Sequence, residues 1–299
     1  MRSGFVAIVG RPNVGKSTLL NAILGEKIAI TTEKPQTTRN TIRGIYTDLN
    51  AEDGGVQIIF IDTPGIHKPK NKLGNFMTEA ALGTFNEVDV ILYLVDEELE
   101  RSPQDRYISG LLEDTDTPRI LVINKVDELD PEKFRRIYDE YGSTGIFQRM
   151  IGISALKNTR VDELLDTVSG FMAEGPMYFP EDQVSEEPMR FIASEIIREK
   201  VLLYMQDEVP HGVAVEIEAF EEEDDLVRIS AVIYCEKKSH KGMIIGKGGR
   251  KLKGIGKSAR EEMEAFLGTK VFLETWVKVR ENWRDSDFAL SQFGYGRQK

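Results

Sequence analysis

An apolar run, Phe5–Gly10, leads directly into Gly10-Arg-Pro-Asn-Val-Gly15-Lys16-Ser17, and the helix-like stretch Thr18-Leu-Leu-Asn-Ala-Ile-Leu24 follows. Two glycines around a four-residue spacer, then Lys and Ser, are what a phosphate-binding loop needs. Gly10 and Gly15 let the main chain wrap close to an anion. Successive N–H groups through Asn13, Val14, Gly15, Lys16, Ser17 and Thr18 then form a nest at a helix N-terminus. The spacing puts Lys16 on the β- and γ-phosphates as a point charge and the Ser17 hydroxyl on Mg2+. A chance match on a structural turn is the bland alternative, and the strand before and helix after argue against it.

Three further segments follow in order, each at the end of an apolar run. Asp62-Thr-Pro-Gly65 would place a carboxylate beside the metal and the Gly65 N–H toward the γ-phosphate. Asn124-Lys125-Val-Asp127 supplies a carboxylate that can accept from both guanine N1–H and the exocyclic amine, a donor pair that adenine lacks. That carboxylate, read as buried, would be left unpaired by the wrong base and so discriminate strongly. Asn124 would brace the loop and Lys125 cover the base. Ser154-Ala155-Leu156 offers a backbone N–H to guanine O6. Each short motif alone is weak; four in order, at strand ends where open α/β sheets bind ligands, are specific.

These motifs need a scaffold, and the hydrophobic pattern provides one. Strands are predicted at Phe5–Gly10, Gly44–Asp48, Val56–Asp62, Val90–Asp96, Arg119–Asn124 and Met150–Ser154. Helices are predicted near 15–24, 72–87, 103–114, 131–141 and 159–172. Continuous Val/Ile runs suit a mostly parallel, doubly wound sheet covered on both faces. The pair without a helix between, Gly44–Asp62, predicts an antiparallel edge hairpin. Three prolines and five acidic residues over Glu174–Pro188 mark a linker. Domains are therefore expected at 1–173 and 189–299, with 174–188 between them.

Beyond the linker the pattern changes. A helix at Met189–Met205 precedes alternating strands Gly212–Phe220 and Leu226–Glu236. A short helix near Lys241–Ile245, a helix near Lys251–Leu267 and a strand near Lys270–Arg280 follow, an α-β-β-α-α-β order. The formal net charge is −11, yet Lys237–Arg260 holds nine Lys or Arg and no Asp or Glu. Local charge matters more to a polyanion than the global sum, because screening acts over about 10 Å. Inside that basic segment, Ile245-Gly246-Lys247-Gly248-Gly249-Arg250 places G-x-x-G between two helices. This is the signature of a KH module, in which glycines admit a nucleic-acid backbone and Lys247, Arg250 and Lys253 neutralise it. A solvated helix end is the bland reading, and a protein or anionic-membrane docking surface is the rival one.

The single cysteine, Cys235, sits in a β-like run and reads as a small buried hydrophobe. No signal-peptide pattern is visible and no run approaches the ~18 apolar residues of a membrane span. The expected location is the cytoplasm. Trp276 and Trp283 are open to either base stacking or core packing, His211 reads as structural, and His67 is a candidate group beside the attacking water.

The four nucleotide motifs resemble the translation-factor-related class of small GTPases. Lys34-Pro-Gln-Thr-Thr-Arg-Asn40 resembles its first switch region, which implies Thr38, with Thr37 as the alternative, as second Mg2+ ligand. Lys16, Thr38 and Gly65 then act on the γ-phosphate. Ile66 stands where Ras-like enzymes carry a water-orienting glutamine, so hydrolysis is expected to be slow unaided. Asn13 resembles the asparagine that supports a K+ ion in some relatives; holding the loop's turn is the other reading. A GTP-sensing adaptor with little hydrolysis is the alternative to an enzyme.

With the KH module, and with Glu195-Ile-Ile-Arg-Glu-Lys200, Thr275-Trp-Val-Lys-Val-Arg-Glu-Asn-Trp283 and Phe293-Gly-Tyr295, the whole chain resembles the bacterial Era family. The resemblance implies a P-loop GTPase domain with a type II KH domain, GTP and GDP as ligands, and Mg2+. It also implies binding to small-subunit ribosomal RNA near its 3′ end during assembly of the 30S subunit. Peripheral membrane association remains a further option.

Overall fold

The structure, a computed structural model, describes residues 1–34, 36–51, 54–97, 101–205 and 209–296. The chain divides into two compact units. One comprises Met1–Ala29, Thr38–Lys70 and Gly74–Glu186; the other comprises Ile30–Thr37, Asn71–Leu73 and Glu187–Lys299.

The first unit is built on strands β1 (Arg2–Gly10), β2 (Ile42–Asp48), β3 (Val56–Asp62), β4 (Val90–Val95), β5 (Arg119–Ile123) and β6 (Arg149–Gly152). They lie in the order β2-β3-β1-β4-β5-β6. Only β2 runs antiparallel to its neighbour in that path, forming the edge hairpin with β3. Strands β3 and β4 are buried along their whole length, which explains why their sequences run apolar without alternation. Helices α1 (Lys16–Leu24), α2 (Lys72–Gly83), α3 (Pro103–Glu113), α4 (Pro131–Gly142) and α5 (Val161–Ser169) connect the strands.

Local chemistry starts these helices where the sequence signals it. Ser102 and Asp105 form a reciprocal capping box at α3 with Pro103 at its first position. Asp130 caps α4 ahead of Pro131. β1 is flanked by β3 on one side and β4 on the other, so the crossovers diverge there and open a crevice at the strands' C-terminal ends. Every nucleotide motif sits at that edge.

Composition marked 174–188 as a linker; in the structure most of it is tied to the first unit. β7 (Ala173–Glu174) pairs antiparallel with the start of β1. The Gln57 side chain, fully buried, accepts from the N–H groups of Tyr178 and Phe179 and donates to the Phe179 carbonyl. Ile45 N–H donates to Val184 O. Such backbone satisfaction has no compositional signature.

The second unit follows the expected order. Helix α6 (Met189–Tyr204) is followed by β8 (Ala214–Glu223), β9 (Leu226–Cys235), α7 (Lys238–Ile245), α8 (Arg250–Leu267) and β10 (Lys270–Val279). Its sheet runs β10-β9-β8, antiparallel between β8 and β9 and parallel between β9 and β10. Ile192, Ile196 and Val201 of α6, Ile229 and Ile233 of β9, and Ile255 and Met263 of α8 share one core, which also buries Cys235. Arg198, fully buried, pairs with Glu195 and donates to the carbonyls of Gln36, at 3.4 Å, and Thr37. Glu199 accepts from the Thr31 N–H at 3.0 Å. Segment 30–37 is thus held by the Glu195–Lys200 motif within this unit.

The sequence reading did not anticipate the C-terminal segment. A short α9 (Asp287–Gln292) brings Phe293 and Tyr295 onto Trp283 at ring-centroid distances of 5.4 and 5.9 Å. Trp283 is fully buried and its indole N–H donates to Gly212 O at 2.9 Å, so it belongs to the core and cannot stack on a base. Trp276, by contrast, is exposed. Trp283→Phe, which keeps an aromatic ring but leaves that carbonyl unpaired, should destabilise the second unit by about 1–3 kcal/mol in urea unfolding while leaving GDP affinity unchanged.

Candidate functional site

The phosphate loop leaves β1 at Gly10 and enters α1 at Lys16. Gly15 holds a left-handed conformation (φ 98°), and a Cβ there would come within 2.2 Å of the Asn124 amide. That close approach is functional, because Asn124 joins three loops. Its Nδ2 donates to the Val14 carbonyl at 2.8 Å, and its Oδ1 accepts from the Ala155 N–H at 3.0 Å. The phosphate loop, the Asn124–Asp127 loop and the Ser154–Leu156 loop therefore share one side chain.

Ser17, Thr38 and Asp62 are brought together. Ser17 Oγ and Thr38 Oγ1 lie 2.8 Å apart, and both approach Asp62 Oδ2, at 2.6 and 3.4 Å. The other carboxylate oxygen, Asp62 Oδ1, is buried without a hydrogen-bond partner. Two hydroxyls and one carboxylate make an oxygen-only set suited to a hard cation that completes its shell with phosphate and water, as Mg2+ does. Among the described residues no group of three or more His, Cys, Asp or Glu could hold a metal. Thr37, the alternative to Thr38, is committed elsewhere: its hydroxyl donates to Lys34 O at 2.6 Å and lies 2.7 Å from that of Thr32. Pro35 of that segment lies outside the described residues.

Two buried charges face each other here. Lys16 Nζ donates to the carbonyls of Gly10 and Arg11 at 3.2 and 2.7 Å. Burial lowers its pKa to about 8, against the opposing pull of Asp62. Burial likewise raises Asp62 to about 6, against the charge of Lys16 and the hydroxyls of Ser17 and Thr38. Gly65 follows β3 in the same edge, and the next residue donates its N–H to Gly10 O at 3.2 Å. That residue, Ile66, is fully buried in the core with Val9 and Ile108, so its side chain is in no position to face a water at the phosphate. His67 Nδ1 lies 3.1 Å from Gly65 O. Asn13 is exposed in a left-handed conformation (φ 67°), Val14 is buried, and Thr18 lies in the first turn of α1.

On the base side, Lys125 adopts a left-handed conformation (φ 61°) that starts the short helical turn Val126–Glu128. Asp127 within it is exposed, not buried as the sequence reading supposed; its seclusion would have to come from a bound base. Ser154 is fully buried. The Ala155 N–H donates to Asn124 Oδ1 and the Lys157 N–H to Ser154 Oγ, and Leu156 between them is exposed. The sequence reading missed Asp96 and Asp105, whose carboxylates hold Arg11 and, from Asp96, Lys125. Asp105 carries a local signal in the Ser102–Asp105 capping box, but nothing local pairs it with Arg11, and Asp96 is marked only by its place at a strand end.

In the second unit Ile245, Gly246, Lys247, Gly248 and Gly249 link α7 to α8, with Gly246, Gly248 and Gly249 all at positive φ. At Gly246 a Cβ would meet that of Lys251 at 2.7 Å, so only glycine fits. Lys247, Arg250 and Lys253 are exposed. Beside them a cleft of about 530 Å³ is lined by Lys253, Gly256, Lys257, Arg260, Leu273 and Thr275. Positions 253, 257 and 260 follow i, i+3/i+4 spacing along α8, a pattern legible in the sequence. A basic helix face opposite an apolar floor suits a single nucleic-acid strand.

Comparison with known proteins agrees with this geometry. Residues 5–125 match the family model of a 50S ribosome-binding GTPase and residues 208–284 that of a KH domain. The chain is 55% identical over 296 residues to GTPase Era of Alkaliphilus oremlandii, covering 98% of this chain and 99% of that protein. It is 54% identical over 297 residues to GTPase Era of Clostridioides difficile, covering 98% of each. Among solved structures, it is similar to Aquifex aeolicus Era bound to GDP and AlF4− (TM-score 0.94, 40% identity, 99% and 100% of the two chains). It is equally similar to Era in complex with MgGDPNP and nucleotides 1506–1542 of 16S ribosomal RNA (TM-score 0.93, 40% identity, 99% of each chain).

The two shifted groups set a pH window. Asp62 must be ionised to hold Mg2+ and takes up a proton as pH falls through about 6; Lys16 must be protonated and loses its proton as pH rises through about 8. Affinity for Mg2+–GDP should therefore be highest between those values and decline by up to about tenfold per pH unit on either side. A fluorescence titration from pH 5 to 9 checks this, and a flat profile would contradict it.

Proposed function

This chain belongs to the Era family of GTPases, and we propose that it uses GTP and GDP to govern how its KH module holds small-subunit ribosomal RNA near the 3′ end during assembly of that subunit. The observation that carries the nucleotide half is the convergence of Ser17, Thr38 and Asp62 beside Lys16. Those three residues would hold Mg2+, which would offset charge on the phosphate oxygens. Gly10, Asn13, Val14, Gly15, Lys16, Ser17 and Thr18 embrace the phosphates. Asn124, Lys125, Asp127, Ser154, Ala155 and Leu156 select guanine, with Asp127 accepting from the base and the Leu156 N–H donating to it. Lys16, the Gly65 N–H and Thr38 act on the γ-phosphate, stabilising charge as water attacks phosphorus and GDP leaves.

The switch reading is supported by the position of Thr38. It directly follows segment 30–37, which is bound through Arg198 and Glu199 in the second unit. Closure of Thr38 on a γ-phosphate would pull on that segment, and hydrolysis would release it. Ile245, Gly246, Lys247, Gly248, Gly249, Arg250 and Lys253 are the RNA-holding set. The relative solved with 16S ribosomal RNA nucleotides supports assigning that RNA class to them. The small subunit or its precursor is then the larger partner and the cytoplasm the compartment. No helix among the described residues is long and apolar enough to cross a membrane. Peripheral membrane association is supported only by the basic charge of Lys237–Arg260.

With Ile66 in the core, the attacking water must be ordered by other groups, and intrinsic turnover is slow. A K+ ion supported by Asn13 is the proposed substitute for an arginine finger. Phosphate release should then fall at least about tenfold when K+ is replaced by Na+, and Asn13→Ala should abolish the difference. Equal rates in both salts would remove the K+ role, and no phosphate release in either would remove hydrolysis. On the RNA side, Lys247→Ala with Arg250→Ala should reduce the salt dependence of single-stranded RNA binding by about two phosphate contacts and leave GTP affinity unchanged.

A further inference from the structure

A chain of buried charges runs behind the nucleotide site. Asp96, the first residue after β4, directs its two carboxylate oxygens to two different cations: Oδ1 to Arg11 Nη2, and Oδ2 to Lys125 Nζ at 3.0 Å. Arg11 belongs to the phosphate loop and its carbonyl accepts from Lys16 at 2.7 Å. Lys125 belongs to the guanine-reading loop. Arg11 Nε also lies 3.2 Å from Asp105 Oδ1. Asp105 is itself fixed: it is fully buried, accepts from the Tyr93 hydroxyl at 2.8 Å and closes the capping box of α3.

Buried ion pairs add little net stability, because desolvation offsets their attraction. This one has a different use. A carboxylate shared between two loops restrains each relative to the other, and both loops carry residues that must meet one rigid ligand. We infer that Asp96 is a positioning residue that yokes Lys125 over the guanine to Arg11 in the phosphate loop, so that binding of the base and binding of the phosphates are coupled. The inference rests on the nucleotide-site reading above. It assigns no contact between Asp96 and nucleotide; Asp96 acts through the two cations it holds, and Asn124 supplies the neutral counterpart of the same link.

The test is a binding cycle on the full chain with a fluorescent GDP and saturating Mg2+, together with GMP competition. Native protein that binds GDP tightly establishes the site; failure to do so would sink the site reading itself, separately from the yoke. Asp96→Asn, nearly isosteric but uncharged, should weaken GDP at least tenfold with its unfolding transition retained. Lys125→Met should weaken GDP about tenfold in the native background and less than twofold when added to Asp96→Asn. It should also lower the ratio of GDP to GMP affinity, although Lys125 sits on the base side; a residue serving only the fold would leave that ratio alone. If Asp96→Asn does not fold, Arg11→Met and Lys125→Met replace it in the cycle, and their effects should fall short of additive by at least threefold. Additive effects in either cycle, or an unchanged ratio of GDP to GMP affinity, would overturn the inference.

Discussion

The amide of Asn124 is the joint on which the nucleotide site depends. It bonds the phosphate loop at Val14 O and the Ser154–Leu156 loop at Ala155 N while standing on the guanine loop itself. One side chain can do this only because parallel pairing of β1, β4, β5 and β6 brings the three strand ends to one edge. The left-handed, side-chain-free Gly15 then lets the amide approach. Asp96 repeats the link with charge instead of a neutral amide, from the strand between β1 and β5. Fold, glycine and hydrogen bonds are thus one constraint on the spacing of the three loops.

Electrostatics set two opposed charges at the phosphate end of that site. Lys16 and Asp62 are both buried, and burial pushes each toward its neutral form. Lys16 makes do with loop carbonyls and Asp62 with hydroxyls. A bound phosphate would favour the charged form of Lys16, and a bound divalent cation that of Asp62.

The loops and strands of the first unit were legible because their chemistry is local. A glycine-rich turn, a strand-ending carboxylate and an Asn-Lys-Val-Asp sequence each carry their own physical reason. What sequence could not reveal was formed between distant residues. Asp96 gains meaning by facing Arg11, 85 residues away, and Lys125; Asp105 is legible locally as the capping residue of α3 but not as a neighbour of Arg11. Gln57 satisfies the backbone near Tyr178, so a stretch that looks like a linker is ordered against the sheet. Asp127 looked like a buried reader and is exposed. Trp283 was ambiguous until α9 placed Phe293 and Tyr295 against it. Ile66 showed the missing glutamine, but that its side chain packs into the core had no local signal.

Segment 30–37 holds the two halves of the function in one covalent stretch: it runs into Thr38 at the metal site, and its carbonyls are bound by Arg198. If the proposed switch couples nucleotide state to RNA binding, each must change the affinity for the other by the same factor. The direct measurement is calorimetric titration of GDPNP and of GDP into the protein, each with and without saturating single-stranded RNA from the 3′ end of 16S ribosomal RNA. The expected result is an RNA-dependent change of at least about fivefold in the GDPNP-to-GDP affinity ratio. An identical ratio with and without RNA would contradict the switch.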